Sequence, residues 1–208
     1  MRRPPKNGFL KNQIKIAAYD SYDPNSSGRN DHYARLLNWL TPVTGVLQAW
    51  PTITLRLYDR PPTQIFGTTT HELAHSTHAK HAGPFTFIGS EKRMIETYAQ
   101  TIEWQLTTKY YRQYKSDFVF ENNYQHRSPV FGAPYTTYTS LMVDLIDDEN
   151  QNLSNSNYVI DRVKDYSIQQ IETETMRNKT FLRLKNDLYR NYNNPTKDYL
   201  DELFNNWN

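Results

Sequence analysis

The sequence predicts an α+β protein, with a small N-terminal mixed sheet and a mainly helical C-terminal half. Three observations carry that expectation. Two short runs, 14–19 and 53–58, alternate apolar or β-branched residues with polar ones, as a half-buried strand does. From residue 68 onward apolar residues recur at helical spacing instead. The chain has 208 residues, 14% of them aromatic and none of them cysteine, which suits one domain whose core needs no disulfides.

The elements follow in order. Ile14-Lys15-Ile16-Ala17-Ala18-Tyr19 reads as a strand, with Asp23-Pro24-Asn25 as the turn region after it. Asn30 or Asp31 caps a short helix through Leu40, which Pro42 ends. Ile53-Thr54-Leu55-Arg56-Leu57-Tyr58 is the second strand, stopped by Pro61-Pro62. A helix over 68–81 starts at Thr68 or Thr69 and stops at Gly83-Pro84. Ser90 opens a longer helix to about Tyr114, with Met94, Ile95, Tyr98, Ile102 and Leu106 as its apolar stripe. An irregular stretch, 116–135, precedes helices at 137–149, 161–175, 177–192 and 196–206, the last capped by Thr196. Residues 152–157 are polar and read as a surface loop. The chain is thus a single domain over 1–208: a strand-containing part to about residue 60, a helix pair over 61–115, and a helical part over 116–208.

Composition excludes several roles. Lys and Arg number 24 against 22 Asp and Glu, a net charge of +2 with no long single-sign run, so no nucleic-acid surface is expected. No apolar run reaches the roughly 18–20 residues of a membrane-spanning helix. The basic start, Met1-Arg2-Arg3-Pro4-Pro5, lacks the apolar stretch of a signal peptide. Without cysteine, thiolate metal sites and cysteine nucleophiles are both excluded. Nothing in the pattern fixes an oligomeric state.

Of six histidines, His71, His75, His78 and His81 fall within one short stretch, and His71-Glu72-Leu73-Ala74-His75 matches H-E-x-x-H. On a helix, residues four apart stand about 40° and one turn apart, so two imidazoles converge on one metal ion. Glu72, one residue on from His71, then lies beside the metal as a proton acceptor. His81 is the wrong third ligand. Position 78 is His rather than the Gly of the H-E-x-x-H-x-x-G-x-x-H pattern, so the helix continues and turns His81 about 80° from His71. Glu96, 21 residues after His75, and Glu103 share one edge of the next helix and are the remaining choices. They lie roughly 10 Å apart along the axis, so only one can bind the metal. His78 reads as a partly exposed helix residue on nearly the ligand face. His81 and Lys80 read as solvated positions that suit the helix C-terminus.

His71-Glu72-Leu73-Ala74-His75 followed by a Glu about twenty residues on resembles the gluzincin zinc peptidases, the class containing thermolysin. More narrowly, residues 96–104 and 141–150 look like a set of bacterial gluzincin-like proteins, many exported or lipid-anchored in Bacteroidetes. The resemblance spans 60–175, and its specific part is 69–104. It implies a zincin-like fold, a Zn2+ cofactor held by His71, His75 and Glu96, peptide or protein substrates, and an extracytoplasmic location. Glu103 is then left with a supporting hydrogen bond or a salt bridge. The chain departs from thermolysin-like proteins at Gln100, where an Asp four residues after the ligand would orient the first histidine.

Peptide hydrolysis with Glu72 as general base is therefore the leading expectation. A surface interaction module that keeps the zinc site without catalysis is the alternative, and a metal-independent helical domain the third reading. An oxyanion donor is expected from His126, Tyr135, Tyr138, Tyr158 or Tyr166, with Tyr138 and His126 foremost. Strand 53–58 is the candidate edge for a substrate chain to extend. Asp144, Asp147, Asp148 and Glu149 lack the Gly and spacing of a calcium loop and read as a solvated helix end.

Overall fold

The computed structural model describes residues 16–19, 32–33, 53–57, 59–120, 139–147 and 161–207. Three strands form one sheet in the order β1-β3-β2: β1 is Ile16–Tyr19, β2 His32–Tyr33 and β3 Ile53–Arg56. β1 runs parallel to β3, with Ile16 opposite Ile53, and β2 runs antiparallel, with Tyr33 opposite Ile53. The sheet is mixed, as expected. Residues 32 and 33, expected to open a helix running to Leu40, are strand instead, since pairing with β3 outweighs a local capping signal; residues 34–40 lie outside the described residues. The Asp23-Pro24-Asn25 turn and the 152–157 loop lie outside the described residues.

Helix α1, Pro62–Ala82, begins well before Thr68. Pro62 sits at its first position, where a missing N–H costs nothing and the fixed φ suits the helix. Thr68 and Thr69, expected as caps, lie inside the helix, and the Thr69 hydroxyl donates back to the Ile65 carbonyl, as that of Thr70 does to the Gly67 carbonyl. Gly83, at φ 80°, breaks the chain into a short helix α2, Pro84–Ile88. Helix α3 then covers Lys92–Tyr111. Ser90 does not cap it; its hydroxyl donates to the Thr86 carbonyl of α2.

Beyond 139, α4 is only Leu141–Asp144, shorter than the helix expected over 137–149. Helix α5 is Ile168–Arg177, opened by a capping box in which Ser167 and Gln170 bond each other's backbone N–H. Residues 161–167, expected to be helical, carry no helix, and Asp165 among them stands at φ 66°. Helix α6, Phe181–Asn191, is capped by Thr180. A 3₁₀ turn, Lys197–Tyr199, leads into α7, Leu200–Asn205. The Thr196 hydroxyl donates to the Lys164 carbonyl rather than capping this last helix.

The apolar stripe of α3 lies where expected: Met94, Tyr98 and Ile102 are buried in one cluster with Leu141, Leu145, Val163, Ile171, Leu184 and Phe204. Leu106 packs against that cluster from its margin. On the other side, the buried alternate residues Ile53 and Leu55 belong to the sheet that α1 packs against. Helix α1 is therefore held between sheet and α3, a mostly helical α+β arrangement. No helix among the described residues is long and apolar enough to cross a membrane.

Candidate metal centre

Helices α1 and α3 run antiparallel in close contact: His75 meets Glu96, His71 meets Glu103, and Gly67 lies against Phe120 beyond the end of α3. At their middle, three ligand atoms converge. His71 Nε2 is 3.3 Å and His75 Nε2 3.1 Å from Glu96 Oε2, and the two Nε2 atoms are 3.1 Å apart. Three atoms each 2.0–2.2 Å from a tetrahedral ion stand about 3.3 Å from one another. His71, His75 and Glu96 are all buried and could hold a metal ion in that triangle.

The electrostatics favour a cation. Burial works against a charged His71, but hydrogen bonds to Glu103 and Glu96 outweigh it and raise its pKa to about 10. Glu72 adds to that attraction. Burial likewise pushes Glu96 up, yet its bonds to His71 and His75 reverse the effect and hold its carboxyl well below the usual range. The site thus keeps Glu96 ionised and stabilises a positive charge at the point where the three atoms meet. Glu72 is buried on α1 next to His71.

Other expected residues divide. His78 is fully buried, not partly exposed; its ring packs edge-on against Phe87 and Tyr98 at 5.0 and 5.5 Å. It fills the α1–α2–α3 junction, where Phe87 of α2 and Tyr98 of α3 close over it. His81 is exposed at the end of α1, as read from the sequence. Tyr166 is 1% exposed in the core cluster, with its phenol pushed up to about 12 by burial. A phenol so enclosed does not suit an oxyanion donor. His126, Tyr135, Tyr138 and Tyr158 lie outside the described residues. Asp144 is not solvated: it is 4% exposed, accepts from the Ser140 hydroxyl at 2.9 Å, and burial raises its pKa to about 7.

Strand β3 is not an edge. β1 pairs with all four of its residues, and β2 takes the other side at Ile53 and Thr54, so no further strand can add there; among the described residues Leu55 and Arg56 are paired by β1 alone. The edges among the described strands are β1 and β2, and β2 is the one in contact with α1. Sequence reasoning also passed over Gly67 and Phe120. A glycine inside a helical pattern signals a close approach by something else, and that signal was present.

The chain matches no family model, no curated protein and no solved structure.

Proposed function

We propose that this chain is a zinc-dependent peptide hydrolase of gluzincin type with a zincin-like fold. The observation that carries the reading is the buried triangle of His71 Nε2, His75 Nε2 and Glu96 Oε2, sized for a tetrahedral ion. Two imidazoles and one carboxylate leave a fourth position open, the donor set of a catalytic rather than a structural zinc. The gluzincin resemblance in the same three residues supports the choice of metal.

A zinc ion held there supplies Lewis acidity, which lowers the pKa of a bound water toward neutrality. Glu72 accepts the proton of the attacking water and returns it to the departing amine, so its carboxylate must be ionised when substrate arrives. His71, His75 and Glu96 keep the reacting groups in place, and burial of all three limits bulk water. A peptide substrate extends the outer side of β2, the described sheet edge in contact with α1. An extracytoplasmic location accompanies this reading through the same resemblance.

Substituting Glu72→Gln tests the reading. The variant should retain zinc and lose peptide cleavage by about 100-fold or more, as measured against a peptide library. Cleavage at the wild-type rate would reject Glu72 as the base. Stoichiometric zinc without cleavage by the wild type would favour the interaction module instead.

A further inference from the structure

Glu103 lies two turns beyond Glu96 on the face of α3 that meets α1. Its Oε2 is 3.1 Å from Nδ1 of His71, and both side chains are withdrawn from solvent, at 3% and 10% exposure. The other nitrogen of that ring, Nε2, is the one facing His75 and Glu96. The ring is therefore gripped from behind. An Nδ1–H donated to a carboxylate leaves the lone pair of a neutral imidazole on Nε2 and fixes the ring plane.

What seats Glu103 is a notch in α1. Gly67 stands one turn before His71; a Cβ there would lie 2.6 Å from Phe120 Cζ and 3.0 Å from Glu103 Oε1. Any other residue would displace both. Phe120 is itself fixed, 7% exposed, with its backbone N–H donating to the Thr108 hydroxyl at 3.1 Å. Gln100, one turn after Glu96 on the same helix, does not serve His71. It is 1% exposed, and among the described residues neither its amide oxygen nor its nitrogen has a hydrogen-bond partner.

We propose that Glu103, seated in the notch left by Gly67 and closed by Phe120, is the residue that orients His71 and sets its tautomer for metal binding, in place of the residue four after Glu96. This rests on the metal site proposed above but not on peptide hydrolysis.

Zinc affinity of the full chain, measured by competition with a chelator, tests the proposal. Glu103→Ala should weaken binding about 10–100-fold, and the isosteric Glu103→Gln by less, while Gln100→Ala should stay within about two-fold of wild type. Gly67→Ala should also weaken binding, and adding Phe120→Ala, which removes the nearer clash, should restore part of it. A downfield imidazole N–H resonance of His71 in the wild type, lost in Glu103→Ala, reports the bond itself. Should Glu103→Ala fail to fold, Glu103→Gln and the resonance carry the test. Undiminished affinity in the folded Glu103 variants, or an equal loss in Gln100→Ala, overturns the proposal. A wild type that binds no zinc overturns the metal site and this role together, whereas zinc binding with the expected Glu103 effect but no cleavage sustains the role and removes only hydrolysis.

Discussion

His71 is the side chain on which most of the site's electrostatics act. It is reached by Glu103 at one ring nitrogen and by Glu96 at the other, which raises its pKa from 6.5 to about 10. The raised value means that the folded metal-free chain holds this proton more tightly than the unfolded chain. Its contribution to stability is full below the unfolded value of 6.5 and is lost as pH rises through about 10. A metal ligand must be neutral, so zinc binding at pH 7 should expel about one proton and tighten by up to tenfold for each unit that pH rises, until about pH 10. Calorimetry in buffers of different ionisation enthalpy measures the release; zinc uptake with no proton release and no pH dependence would contradict the assignment. Asp144 shifts in the same direction for a different reason. Burial raises it from 3.8 to about 7, so its stabilising proton is fully held below 3.8 and lost as pH rises through about 7. Asp144→Asn, which keeps an acceptor for Ser140, should therefore raise Tm at pH 8 and have little effect at pH 4. Each kcal/mol recovered corresponds to about 2–4 °C in a chain of this size.

At the scale of elements, the site is the crossing of two antiparallel helices, and each helix end has a physical cause. Ser167 and Gln170 form the one complete capping box among the described helices. Ser167→Ala should lower stability by about 1 kcal/mol, read from denaturant unfolding, with zinc affinity unchanged. The helix pair and its apolar stripe were legible because a stripe at 3.6-residue spacing and a Gly-Pro stop are local signals. His71 and His75 were legible for the same reason, since i and i+4 on one helix have only one relative geometry, whereas the choice of Glu96 over Glu103 came from the gluzincin resemblance. What stayed hidden depends on partners distant in sequence. Residues 32 and 33 became a strand through pairing with β3, and β3 became central rather than an edge through pairing on both sides. His78 and Asp144 looked solvated because their own segments are polar, while the walls that bury them come from other elements. The start of α1 at Pro62 is ambiguous in the sequence, because Pro61-Pro62 ends a strand and opens a helix equally well.

For the whole molecule, α1 packs against both the sheet and the helical core, and the His71–His75–Glu96 triangle that could hold a metal ion lies where α1 meets α3. Rigid packing on both sides suits a site that must hold three ligand atoms to a few tenths of an ångström. A small net charge of +2 gives no long-range field to steer a nucleic acid. Metal content and peptide-library cleavage, determined together for the wild type and Glu72→Gln, test this account most directly. One zinc per chain in both proteins, with cleavage confined to the wild type, is the result expected. A wild type without stoichiometric zinc, or a Glu72→Gln variant that cleaves as fast, would contradict it.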